Sequence, residues 1–100
     1  MHTSRDPGRP EVAHPDGLSD REVVELASAY YEDGTVRSLL ERAGIRVERQ
    51  PVWSGSPLLY WRHLSRLLAL GLAVDGRQRL LRAASSDFPG NRVFASDARR

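Results

Sequence analysis

Apolar residues recur at helical spacing along most of this chain, and the breaks between runs carry proline, glycine and small polar residues. The first run starts at Leu18-Ser19-Asp20-Arg21-Glu22. Ser19 fits an N-cap with Glu22 three residues on, the capping-box arrangement. Val23, Ala27, Tyr30 and Tyr31 then share one face, with Glu22, Glu25 and Glu32 on another around Ala29. Asp33-Gly34 is expected to end this helix. Thr35 is placed to cap a second, running through Ala43, with Val36, Leu39, Leu40 and Ala43 inward and Gly44 as its stop. Ile45 to Gln50 reads equally as one helical turn or a short extended piece, closed by Pro51.

A third helix begins at Ser56-Pro57, where serine suits the N-cap and proline the first helical position. Leu58, Trp61, Leu64 or Ser65, and Leu68 follow at helical spacing up to Gly71. Arg62 and Arg66 lie on a different face with Leu59 and Leu70. Trp53 is expected to fold back over this helix as a hydrophobic staple does, and Tyr60 is the aromatic expected at the surface. A fourth helix starts at Val74 or Asp75. Leu80, Leu81 and Ala84 form its stripe, Arg77 borders it, and Arg79, Arg82 and Ser86 lie opposite. Phe88-Pro89-Gly90-Asn91 breaks it, and Val93 with Phe94 is expected to dock a last short turn. No strand pair and no repeat is visible, so the class is all-α, a compact bundle with short connections.

Length changes this picture little: 100 residues make one domain with one small core. Residues 1–17 carry three prolines and two glycines and almost nothing apolar, and read as a leader or linker end. The folded part is then 18–94, with a polar tail over 95–100. The chain has no cysteine, which removes disulfides, thiolate metal sites and thiol nucleophiles. No stretch reads as a signal peptide or membrane span, so a cytoplasmic setting is expected.

Candidate chemistry is sparse. His63 stands alone in a helix, without a second histidine or carboxylate at metal-ligand spacing. It is also the single structured base available to a serine nucleophile. Ser54-Gly55-Ser56 at a helix start offers backbone N–H groups to an anion, but lacks the longer glycine-rich loop and lysine of a phosphate loop. A structural cap is the better reading, and neither a cofactor nor a metal is expected.

Charge is segregated. Leu18 to Gln50 holds five arginines against seven acids; Pro51 to Phe94 holds six against two. One half is acidic and the other basic, which suits docking of unlike faces. The acidic patch is read as Glu22, Glu25, Glu32 and Asp33, and the basic patch as Arg62, Arg66, Arg79 and Arg82. Leu59 and Tyr60 are the candidate apolar contacts. The competing reading is a small helical nucleic-acid binder using the arginines of the second half.

Five segments form an ordered series: Glu25-Leu26-Ala27, Tyr31-Glu32-Asp33, Val36 to Gly44, Trp53 to Trp61, and Asp87-Phe88-Pro89-Gly90-Asn91. It resembles the effector-associated domain family, type one, of bacterial conflict systems, over roughly 18–94. That family shows a helix ending in Ala-Gly, an aromatic-Ser-Gly turn, a helix with an aromatic followed by Trp, and a closing Tyr-Pro-Gly-Asn. Trp53 and Phe88 here replace a phenylalanine and a tyrosine, and Leu59 stands where a polar residue is usual. The resemblance implies a death-like bundle of five to six helices. It also implies a non-enzymatic adaptor that pairs with another such domain and so recruits an effector protease, nuclease or NTPase. It carries over no catalytic residues, and it makes Ser54-Gly55 a fold signature.

Overall fold

The computed structural model of the chain describes residues 17–53 and 55–97. Five α-helices follow one another: α1 (Asp20–Ala29), α2 (Asp33–Arg42), α3 (Pro57–Ala69), α4 (Gly76–Asp87) and α5 (Arg92–Asp97). A 3-10 turn, Val47–Arg49, separates α2 from α3, and no strand occurs among the described residues. The protein is an all-α bundle, as the periodicity predicts. The leader read over residues 1–17 lies outside the described residues save for Gly17, which is buried.

The helix starts follow local chemistry. Ser19 Oγ accepts from the Glu22 amide at 3.2 Å, and Glu22 Oε1 accepts from the Ser19 amide at 3.0 Å, closing the capping box. Ser56 Oγ accepts from the Leu59 amide, and Pro57 takes the first helical position of α3. Asp75 caps α4 from the left-handed region without a side-chain hydrogen bond. Asn91 Oδ1 accepts from the amides of Val93 and Phe94 and starts α5.

The first boundary differs from expectation. Helix α1 ends at Ala29, and Tyr30 is already extended (φ −125°, ψ 91°). Successive side chains of extended backbone point in opposite directions. Tyr30 therefore turns into the core and Tyr31 out to solvent, 59% exposed, instead of both lying on the buried face. Asp33 and Gly34 open α2 rather than ending α1, because the Asp33 carboxylate suits the positive end of a helix. Thr35 sits inside the first turn of α2, where its hydroxyl donates to the Glu32 carbonyl.

The core collects most of the predicted stripes, but Leu58 in the first turn of α3 is exposed and Ala27 only half-buried. Val23, Leu26, Val36, Leu39, Leu40, Trp61, Leu64, Leu68, Leu80, Leu81, Ala84 and Phe94 are buried in one cluster. Leu26 is a wholly buried member absent from the sequence-predicted stripe, three residues beyond Val23. Trp61 donates its indole N–H to the Tyr30 carbonyl at 3.0 Å, satisfying a backbone oxygen just past the end of α1. Tyr60 is the main reversal: it is buried, not exposed. The chain before α3 folds back as the staple reading requires, and the Trp53 ring lies 5.0 Å from the Tyr60 ring and screens it. Burial, and then the nearby Asp33 carboxylate, push the Tyr60 hydroxyl up to about 12.

The expected tail also begins later. Ala95, Ser96 and Asp97 complete α5, and Asp97 is buried. Residues 98–100 lie outside the described residues.

Gly44 stops α2 at φ +86°, a left-handed position, and an added Cβ would meet Arg79 Nη1 at 2.6 Å. Arg79 can swing away, whereas the backbone cannot relax. Gly44→Ala is expected to cost about 1 kcal/mol. Gly34, inside α2 with open space around a new Cβ, should instead gain about 0.5 kcal/mol on Gly34→Ala. Urea midpoints of the two variants check the opposite signs.

Candidate functional site

Many of the residues that carry the family resemblance go inward or into caps, while Tyr31, Glu32 and Leu59 stay exposed. Asp87, Phe88 and Asn91 of the closing segment each have a structural partner. Asp87 accepts from the Tyr30 hydroxyl at 2.6 Å and takes both ends of the Arg42 guanidinium, at 2.9 and 2.7 Å. The Phe88 ring meets Tyr30 edge-on at 5.6 Å. Asn91 Nδ2 donates to Glu25 Oε1 at 2.9 Å. The hydrogen bonds from Arg42 and then from Tyr30 hold the Asp87 carboxyl below its usual range. Burial, and then Asp87, raise the Tyr30 hydroxyl well above that of a free tyrosine. Ser54, the serine of the Ser-Gly turn, lies outside the described residues. Gly55 there adopts φ +88°, and Ser56 is the cap.

The acidic patch does not survive folding as one surface. Glu22 is buried and grips Arg77 of α4 through two hydrogen bonds, at 3.1 and 2.5 Å. Burial raises its carboxyl, but hydrogen bonds with Arg77, with the Asp97 side chain and with the Ser19 amide outweigh that and leave it lowered. A carboxylate so placed cannot meet a partner. Arg77 of α4 and Asp97 of α5 cover it, and Glu32, expected on the same face, lies beyond the end of α1. Glu25 is half-buried against Asn91, and Asp33 is held by Arg37 one turn along α2 at 3.0 Å. Glu32 is exposed and has no ion pair or side-chain hydrogen bond among the described residues.

The basic patch divides in two. Arg79 lies over Gly44 at the end of α2, and Arg82 is exposed further along α4. Arg62 and Arg66 stand one turn apart on the outer face of α3. They border a cleft of about 390 Å³ between α3 and the start of α1. Buried Leu18 and Val23 and half-buried Ala69 line this cleft, and exposed Leu70 and Asp20 share its edge. Ser65 ties its wall together: its Oγ accepts from the Leu18 amide at 2.9 Å and donates to the Leu18 carbonyl at 3.1 Å. Arg21, Arg37, Arg42, Arg46 and Arg77 all have carboxylate partners. Arg62 and Arg66 have none among the described residues.

Of the apolar contacts, Leu59 is 60% exposed on α3, while buried Tyr60 is withdrawn from the list. Tyr31 replaces it as the exposed aromatic. His63 is exposed on α3, and no group of three His, Cys, Asp or Glu among the described residues is placed to hold a metal ion. No helix of the described residues is long and apolar enough to cross a membrane.

The model of the family described as effector-associated domain 1 matches residues 16–100 of this chain. Neither a curated protein nor a solved structure matches it.

Proposed function

The chain belongs to the effector-associated domain 1 family, and from that premise we propose that it is a non-enzymatic adaptor of death-like fold that works by homotypic protein–protein association. In this reading one copy marks an effector, such as a protease, nuclease or NTPase of a bacterial conflict system in the cytoplasm. A second copy, in the same or another chain, recruits it.

One observation carries the reading. Most of the described residues of the family signature are taken up by the core, caps, ring contacts and hydrogen bonds, Tyr31, Glu32 and Leu59 excepted, while the arginines of the outer α3 face are left without partners among the described residues. Exposed charges of this kind contribute little affinity singly, but they steer approach and set register. The acidic counterpart is Glu32, with Asp33 half-engaged by Arg37. Leu59 and Leu70, exposed beside the arginines, add apolar area.

Light scattering across concentration and salt tests this. Self-association is expected that weakens as salt rises. Arg62→Glu with Arg66→Glu should weaken it about tenfold or more, with the helical circular dichroism unchanged. Unchanged association of that variant would remove α3 from the interface. Binding to random duplex DNA with a steep salt dependence, in place of self-association, would favour a nucleic-acid role.

A further inference from the structure

The homotypic reading leaves open which surface of one copy meets which surface of the other. The structure offers a plug and a socket. Resting on that reading, we propose that the Tyr31-Glu32 corner of one copy seats in the α1–α3 cleft of a second copy, with the Tyr31 ring against Leu18, Val23 and Ala69 and the Glu32 carboxylate between Arg62 and Arg66.

The corner is built to project. It is the two-residue stretch between the extended Tyr30 and the first turn of α2. Tyr30 is pinned inward by the Trp61 indole, the Asp87 carboxylate and the Phe88 ring. A residue anchored that firmly forces its neighbour outward. Tyr31 is 59% exposed with no hydrogen bond or ring partner among the described residues. Glu32, beside it, is the carboxylate of this corner left free, since Asp33 is held by Arg37. A rigid aromatic next to an unpaired charge is the residue pair that anchors protein interfaces, because it buries large area for few frozen torsions.

The socket matches it in chemistry and stiffness. Its floor of Leu18, Val23 and Ala69 is apolar, its edge carries two unpaired arginines that outnumber the one carboxylate there, Asp20, and its volume of about 390 Å³ accommodates one ring. Ser65's pair of hydrogen bonds to Leu18 fixes the wall, so little ordering remains to be done on binding. The capping box of α1 takes the amides of Ser19 and Glu22, and the charges that attract a carboxylate to the cleft are the two arginines.

One copy cannot satisfy itself. The cleft lies at the start of α1 and the corner past its end, with ten residues of helix between, or roughly 15 Å at 1.5 Å per residue. The contact therefore joins two molecules through unlike surfaces and is heterologous.

Two variants separate the surfaces. The corner variant carries Tyr31→Ser and Glu32→Gln; the cleft variant carries Arg62→Glu and Arg66→Glu. All four positions are exposed, so both variants should keep the wild-type circular dichroism. Each alone should self-associate about tenfold more weakly or worse, the loss expected on removing an interface anchor. Mixed together, the corner variant still offers a cleft and the cleft variant still offers a corner. The expected result is a 1:1 heterodimer by light scattering. A mixture that stays monomeric while the wild type self-associates overturns the pairing and leaves the homotypic reading standing. Undiminished self-association of the corner variant overturns the pairing too. A wild type that is monomeric at every concentration and salt overturns both readings.

Discussion

Trp61→Ala is expected to lose about 3–5 kcal/mol of folding stability, the cost of emptying a large aromatic site in a packed core. The side chain is fully buried among residues of α1, α2, α3 and α4. Its ring lies 6.5 Å from Tyr30 and 5.9 Å from Tyr60. Two losses add: the cavity itself, and the Tyr30 carbonyl, which is left without its indole donor in a place water reaches poorly. A domain of this size has about 5–15 kcal/mol in total, so the variant should be partly unfolded at 37 °C. Urea unfolding followed by helical circular dichroism measures it. Trp61→Phe keeps most of the volume but not the donor and should fall between, at about 1–3 kcal/mol. A loss below about 1 kcal/mol for Trp61→Ala would show that the neighbouring rings collapse into the space.

Arg77→Met is expected to be nearly as damaging, because it strands Glu22. Breaking a buried ion pair by removing one partner costs about 3–5 kcal/mol. Here the Glu22 side chain is 2% exposed and that of Arg77 17%. Removing both charges together, with Glu22→Leu added, should recover most of the loss, since two apolar groups need no pairing. Recovery is limited because Glu22 also closes the capping box, which is worth about 1 kcal/mol.

The pH dependence has a definite sign. The Glu22 and Asp87 carboxyls are lowered in the folded chain. A lowered carboxyl contributes stability that is present above the unfolded carboxylate range and lost as pH falls through the folded value. Wild-type stability should hold from neutrality to about pH 5 and fall below it. In Arg77→Met the burial that raises Glu22 is no longer opposed by the guanidinium, so the acid-side fall should be shallower. Urea midpoints from pH 7 to pH 3 compare the two. Equal slopes would assign the acid sensitivity to Asp87 and its Arg42 partner instead.

The elements were legible wherever the signal is local. The Ser19–Glu22 box, the Ser56-Pro57 start, the Gly44 stop and the Leu80-Leu81-Ala84 stripe depend on residues within one or two turns of each other. Each forms as its spacing predicts. The staple by Trp53 belongs with them, since it spans only the turn before α3.

The candidate site was less legible, and particular residues show why. Glu22 carries the same sequence signal whether its face meets water or another helix. Its burial depends on Arg77, 55 positions away, and on α5. Tyr60 stands four and eight residues before Leu64 and Leu68, so helical spacing already put it on the buried stripe of α3, and Trp53 from the preceding segment completes its cover. Tyr31 fits the stripe of α1, but the helix has ended before reaching it. Periodicity extended past a helix end assigns side chains to faces that no longer exist.

The all-α class, the Ser19 and Ser56 caps and most of the core were thus determined by the sequence alone, because capping hydrogen bonds and the 3.6-residue period act between near neighbours. The family is legible too, because its signature residues keep their order and spacing. Which charges stay exposed and unpaired was decided only by the tertiary structure. An ion pair forms when two helices bring opposite charges together at close range, and the pairing of Glu22 with Arg77 and of Asp87 with Arg42 removed those groups from the surface. Packing left Glu32 at one end of α1 and Arg62 with Arg66 near the other among the charges without partners in the described residues, and the proposed docking rests on these three.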